Sequence, residues 1–89
     1  MGHNATVEND TTIGDRTKLQ TNVYIIALST IEVDVFIAPC VVTTNDNFMG
    51  RTEERFKYRK GPHVKKDARI GGNAVLLPRV TIGVQADIG

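Results

Sequence analysis

The chain has 89 residues, enough for one small domain and no more. Eleven basic residues against ten acidic ones leave a net charge of +1, a balance that argues against a general nucleic-acid or membrane-surface binder. The single cysteine, Cys40, excludes an intrachain disulfide, and no apolar run approaches the roughly 18 residues of a membrane span.

From the beginning of the chain, Met1-Gly2-His3-Asn4 lacks the apolar core of a signal peptide, so a cytoplasmic location is the expectation. Met1-Gly2 with Thr6 and Asn4-Ala5-Thr6 match the loose myristoylation and glycosylation patterns. Both patterns are common by chance, and the second needs a secretory route that this sequence does not indicate.

From Val7 onward an aliphatic residue recurs every sixth position, at Val7, Ile13, Leu19, Ile25, Ile31 and Ile37. Four residues after each of these anchors stands a small or β-branched residue: Thr11, Thr17, Val23, Ser29, Val35 and Val41. Between anchor and small residue the units carry turn formers such as Asn9-Asp10, Asp15, Asn22, Asp34 and Pro39. A period of six fits neither an amphipathic helix, which needs spacings of three and four, nor a hairpin meander, which needs longer strands. It predicts very short strands, each with its anchor facing inward, separated by tight bends.

The period breaks after Val42. Residues 43–63 are expected to leave the stack as a loop excursion, because their number is no multiple of six. The stretch holds Phe48, Phe56 and Tyr58, three of the five aromatic residues, interleaved with arginines. Aromatic and cationic side chains in one loop suit packing onto a neighbouring subunit or a nucleotide. Residues 51–69 concentrate eight basic residues against three acidic ones.

The hexads resume at Val64, Ile70, Leu76 and Ile82, with Ala68, Ala74, Val80 and Ala86 as their small residues and Asp67, Gly72-Asn73 and Pro78 in their bends. Ile88 opens one more unit. The expected domain is thus a single unit over 1–89, with repeat blocks at 7–42 and 64–89.

Hexads such as Ile13-Gly14-Asp15-Arg16-Thr17-Lys18 and Ile70-Gly71-Gly72-Asn73-Ala74-Val75 resemble the hexapeptide-repeat acyltransferase family. The resemblance implies an all-β, left-handed parallel β-helix with three hexads per coil, a homotrimer, and acetyl-CoA as co-substrate. The handedness comes from the family alone, since parallel crossovers otherwise favour the right hand. Members of the family continue for further hexads, so the chain is read as a fragment or truncated form.

A narrower likeness lies in Val41-Val42-Thr43-Thr44-Asn45-Asp46 followed by Asn47-Phe48 and Arg51, supported by Gln20-Thr21-Asn22-Val23 and Asp34-Val35-Phe36-Ile37-Ala38-Pro39. These segments are similar to the nucleotide-sugar N-acetyltransferases of surface polysaccharide and O-antigen (lipopolysaccharide) biosynthesis. The resemblance implies acetyl transfer to the amino group of a UDP- or dTDP-linked amino sugar. It places Gln20, Asn22, Phe48 and Arg51 at the substrate. Such transfer needs an unprotonated amine near the thioester carbonyl and stabilisation of the oxyanion. Asn45 is the candidate to orient the amine through its amide oxygen, with Asp46 accepting a proton or fixing the loop. An Asx-turn at the start of the excursion is the local alternative for the same two residues.

For the coenzyme, the backbone amides of Gly71, Gly72, Asn73 and Ala74 are candidates for the thioester end, and Lys65, Lys66, Arg69 and Arg79 for the phosphates. The competing reading of the basic residues is a solvated outer face. Arg79 stands where the family often has glycine, so a different bend is expected there. His63 falls where a threonine is expected and is read as closing the loop, with a role as base the lesser alternative. Two histidines cannot supply the three-histidine zinc site of related β-helical carbonic anhydrases, so no metal is expected. A non-catalytic trimerisation domain, a truncated relic of a sugar-modifying enzyme and an O-acetyltransferase are the other functional readings. Neither a nucleic acid nor a membrane is an expected partner.

Overall fold

The computed structural model describes residues 2–45 and 60–88. Among them there is no helix, and the regular structure consists of two-residue strands. In chain order these are β1 (Thr6–Val7), β2 (Thr12–Ile13), β3 (Lys18–Leu19), β4 (Tyr24–Ile25), β5 (Thr30–Ile31), β6 (Phe36–Ile37), β7 (Val42–Thr43), β8 (His63–Val64), β9 (Arg69–Ile70), β10 (Val75–Leu76), β11 (Thr81–Ile82) and β12 (Asp87–Ile88). Every third strand stacks in parallel, giving a first face β1-β4-β7-β10, a second face β2-β5-β8-β11 and a third face β3-β6-β9-β12. The fold is a left-handed parallel β-helix, a triangular prism whose three corners are the bends between faces.

Each strand directs its first residue outward and its second inward. The inward anchors Leu19, Ile25, Ile31, Ile37, Val64, Ile70, Leu76 and Ile82 are buried, as are the small residues Val23, Val35, Val41 and Ala68 that follow four positions later. Burying each large aliphatic side chain contributes about 1.5–3 kcal/mol. The period of six therefore produces the core directly.

The bends are more uniform than the sequence suggests. Every positive-φ residue other than glycine occupies the fourth hexad position, with φ between 56° and 70°. Asn22, Asp34, Asp67 and Asn73 suit that region, but Arg16, Leu28, Cys40 and Arg79 adopt it as well. Arg79, expected to bend differently, has φ 64° like its neighbours. The ladder on both sides of the bend overrides local preference. The N–H of the fourth residue donates to the third residue of the preceding coil, as from Cys40 to Thr21 at 3.0 Å and from Asn73 to Pro39 at 3.2 Å.

The excursion is narrower than 43–63. Thr43 lies in β7 and is buried at an anchor position, so the hexad frame runs on through it. The chain returns at Lys60, whose N–H donates to the Asn45 carbonyl at 3.1 Å. Pro62 is buried at the small-residue position and His63 begins β8. One coil is thus shared between the two repeat blocks, with β7 from the first and β8 and β9 from the second. A hydroxyl at an aliphatic position is what hides this in the sequence.

Thr43 also alters the ladder just before the departure. Its hydroxyl accepts the Ile26 N–H at 2.7 Å and donates to the Tyr24 carbonyl at 3.0 Å, so the side chain stands in the ladder between β4 and β7. Of the two residue pairs expected between these strands, only Tyr24 with Val42 remains in register.

Candidate functional site

The first corner, between the first and second faces, holds the base of the excursion. Asn45 is 9% exposed there, and its amide Nδ2 donates to the Ala27 carbonyl at 3.1 Å. In regular bends that carbonyl position is taken by a backbone N–H of the next coil. Here the nearest one, from Gly61, goes to Leu28 instead at 3.1 Å. Asn45 thus replaces a ladder bond that the excursion displaces, and the plane of its amide is fixed in doing so. The Asx-turn alternative accounts for none of this contact, which spans 18 residues.

Small and polar groups surround this base. Ser29 Oγ donates to the Ile26 carbonyl at 2.8 Å, and Thr44 Oγ1 donates to the Leu76 carbonyl at 3.1 Å. A Cβ at Gly61 would fall 2.9 Å from the Ser29 backbone, so only glycine lets the returning chain close on the preceding coil. One coil further, the Arg79 N–H donates to the Lys60 carbonyl at 3.1 Å. The structure therefore brings Asn45 and Arg79 to one corner, joined through Lys60. Asp46, Phe48 and Arg51 lie outside the described residues.

The other site residues are on different corners. Lys65 and Lys66 lie at the second corner, between the second and third faces. Close to them Glu32 accepts from the Lys66 N–H through Oε1 at 3.1 Å and meets His63 Nε2 through Oε2 at 2.5 Å. Both side chains are about a third exposed, at 37% and 36%. The His63 hydrogen bond, opposed by partial desolvation and aided by the Lys66 N–H, holds the Glu32 carboxyl below its usual range. His63 thus closes β8 onto the preceding coil. On the second face it interrupts a row of threonines, with Thr30 and Thr81 as its register partners.

Gln20, Asn22 and Gly71–Ala74 share the third corner, between the third and first faces, two coils apart with Pro39-Cys40 between them. Three of the four amides in the glycine-bearing bend already donate within the fold: Gly71 to Ile88 at 2.6 Å, Asn73 to Pro39 at 3.2 Å and Ala74 to Gly71 at 3.3 Å. That leaves the N–H of exposed Gly72 as the donor this bend offers to a ligand. A Cβ at Gly72 would meet only the Pro39 carbonyl, at an ordinary 3.4 Å. Asn22 and Asn73 occupy the positive-φ bend position, which is sufficient reason for asparagine at both.

Two features of the sites escaped the sequence reading. The Glu32–His63 contact joins residues 31 positions apart, and becomes a contact between adjacent coils only once residues 46–59 are taken out of the count. Thr43 carried a signal in its spacing, six residues after Ile37, which its polarity masked. Among the described residues, no group of three or more His, Cys, Asp or Glu side chains is placed to hold a metal ion. No helix there is long and apolar enough to cross a membrane.

No family model matches the sequence, and a search of curated proteins finds no significant relative.

Proposed function

We propose that the chain is an acyltransferase that moves an acetyl group from acetyl-CoA to the amino group of a nucleotide-linked amino sugar, acting as a homotrimer. The observation that carries this reading is the immobilised Asn45 amide at the base of a long excursion. With Nδ2 held by Ala27, the amide oxygen is the group left to accept an N–H from an incoming amine. An amine so held keeps its lone pair for the thioester carbonyl. Attack forms the C–N bond and a tetrahedral oxyanion. Collapse breaks the C–S bond, expels the coenzyme thiolate and leaves an amide after the ammonium proton departs. Asp46 is assigned to that proton, and Gly72 N–H to the thioester end of the coenzyme.

The separation of candidate residues over three corners supports assembly of the site between subunits, since one prism cannot gather its own corners. The first face offers a surface for that assembly. Tyr24, Val42 and Val75 are register partners along it, with Val42 38% and Val75 58% exposed, and Leu77 beside them is 61% exposed. The same ridge favours the second reading, a non-catalytic trimerisation domain.

Release of free thiol from acetyl-CoA, measured against a panel of UDP- and dTDP-linked amino sugars, separates the two. Sugar-dependent release that falls at least tenfold in Asn45→Ala, with the oligomer unchanged, is the expected result. Equal release by wild type and Asn45→Ala rejects the assigned role.

A further inference from the structure

An open cleft of about 680 Å³ runs over the third face and the second corner, lined by Arg16, Lys18, Asp34, Phe36, Asp67 and Arg69. A cleft of this volume lies within the range of small-molecule sites. Lys18, Phe36 and Arg69 are the outward residues of β3, β6 and β9, register partners on successive coils. Adjacent strands stand about 4.8 Å apart, so a half-buried aromatic ring lies between two cationic side chains.

The charges within the cleft are unequally engaged. Arg16 is spent on Asp34, through Nε to Oδ1 at 2.7 Å and Nη2 to Oδ2 at 3.1 Å. Arg69 donates from Nη1 to the Asp34 backbone carbonyl at 3.1 Å, which fixes its guanidinium at the cleft and leaves it further N–H donors. The Lys18 ammonium and the Asp67 carboxylate make no hydrogen bond to any described residue. Two cations, one acceptor carboxylate and a ring face therefore point to a ligand with a planar group, an anionic group and hydroxyl donors. A simple aromatic carboxylate would leave Asp67 facing negative charge. A ribose would give it hydroxyls.

We propose that this cleft binds a nucleoside phosphate, with the base stacked on Phe36, the phosphate reached by Lys18 and Arg69 from either side, and ribose hydroxyls donating to Asp67. Stacking on one ring tolerates any base, and cationic side chains supply the phosphate contact. The cleft shares no residue with the Asn45 corner and lies on a different face from the Tyr24–Val42–Val75 ridge. Of the basic residues read as candidates for the coenzyme phosphates, only Arg69 lies in it.

Isothermal titration of the full chain with UMP, AMP, uridine, ribose 5-phosphate and inorganic phosphate tests this. UMP and AMP are expected to bind with similar affinity, each at least tenfold tighter than uridine, ribose 5-phosphate or inorganic phosphate. Lys18→Gln and Phe36→Leu are each expected to weaken UMP at least fivefold, with thermal unfolding unchanged. Phe36→Leu keeps apolar bulk on the face while removing the ring, so its effect reports stacking. Nucleotide binding no tighter than inorganic phosphate, or binding that survives both substitutions, overturns the proposal. Binding lost in Lys18→Gln but retained in Phe36→Leu reduces the site to a phosphate contact and overturns the nucleoside part.

Discussion

The Asn45 side chain donates to the backbone carbonyl of Ala27 in the preceding coil, and so fills a place in the ladder that the excursion takes from the backbone. The same contact that anchors the loop also aims the amide. Structure and proposed chemistry therefore meet in one residue, and substitutions there separate them. Asn45→Ala leaves the Ala27 carbonyl without its partner and is expected to cost about 1–3 kcal/mol of stability in urea unfolding, besides its effect on turnover. Asn45→Gln keeps donor and acceptor on a longer arm. It is expected to recover part of the stability while remaining well below wild-type turnover, because the amide oxygen moves. Full activity in Asn45→Gln would remove the positional part of its role.

Thr43 tests how the excursion is launched. Its hydroxyl serves both the Ile26 N–H and the Tyr24 carbonyl, so the isosteric Thr43→Val leaves one polar group of β4 and one just after it to find other partners. A loss of about 1–3 kcal/mol is expected, read from the urea midpoint at constant slope. A gain in stability would show that the ladder closes readily around an aliphatic residue, and that the threonine is not what turns the chain outward.

Two glycines give a matched contrast. At Gly61 an added methyl group meets Ser29 backbone at 2.9 Å, whereas at Gly72 it meets a single carbonyl at 3.4 Å. Gly61→Ala is expected to destabilise by about 1–3 kcal/mol, the usual range for overpacking. Gly72→Ala is expected to stay within about 0.5 kcal/mol, as for other exposed positions. Thermal unfolding of the two variants side by side checks this. Equal effects would mean that the returning chain does not close tightly on Ser29.

Acid titration tests the Glu32–His63 contact. The folded state lowers the Glu32 pKa, chiefly through the His63 hydrogen bond. A carboxyl whose folded pKa is depressed binds protons less readily folded than unfolded. Its contribution is complete above the ordinary carboxylate range of the unfolded chain and is lost as pH falls through the lower folded value. Glu32→Gln is expected to flatten this acid limb of the stability curve, leaving the part that Asp34 contributes through Arg16, whose hydrogen bond likewise holds Asp34 low. Denaturant unfolding of both proteins between pH 6 and 3 reads the difference. Parallel curves would show that Glu32 carries no folding-linked proton.

Much of this architecture was legible in the residues. Ile25, Ile31 and Ile37 at sixfold spacing, each followed by Ser29, Val35 and Val41, specify strand, inward face and bend in one stroke, and all six are buried. Arg79 and Leu28 were not legible in the same way. Their local preferences oppose a positive φ, and the bend is imposed by hydrogen bonds from neighbouring coils that no local pattern contains. The boundary at Thr43 was hidden because an inward hydroxyl looks like the end of an aliphatic repeat, when it is the anchor of the next hexad. Asn45 stood out by its place at the excursion, but its Ala27 partner follows only from knowing which coil lies beside it. The cleft around Phe36 escaped for a related reason. Lys18, Phe36 and Arg69 come together through strand register, and the excursion between Phe36 and Arg69 obscures their common spacing.

Native mass spectrometry of the chain with and without acetyl-CoA tests the central claim most directly, because it reads subunit number and coenzyme number together. Trimers that take up as many as three acetyl-CoA molecules are the predicted result. Trimers that take up none would contradict the acyltransferase reading in favour of a trimerisation domain, and monomers would contradict the assembly of the site between subunits.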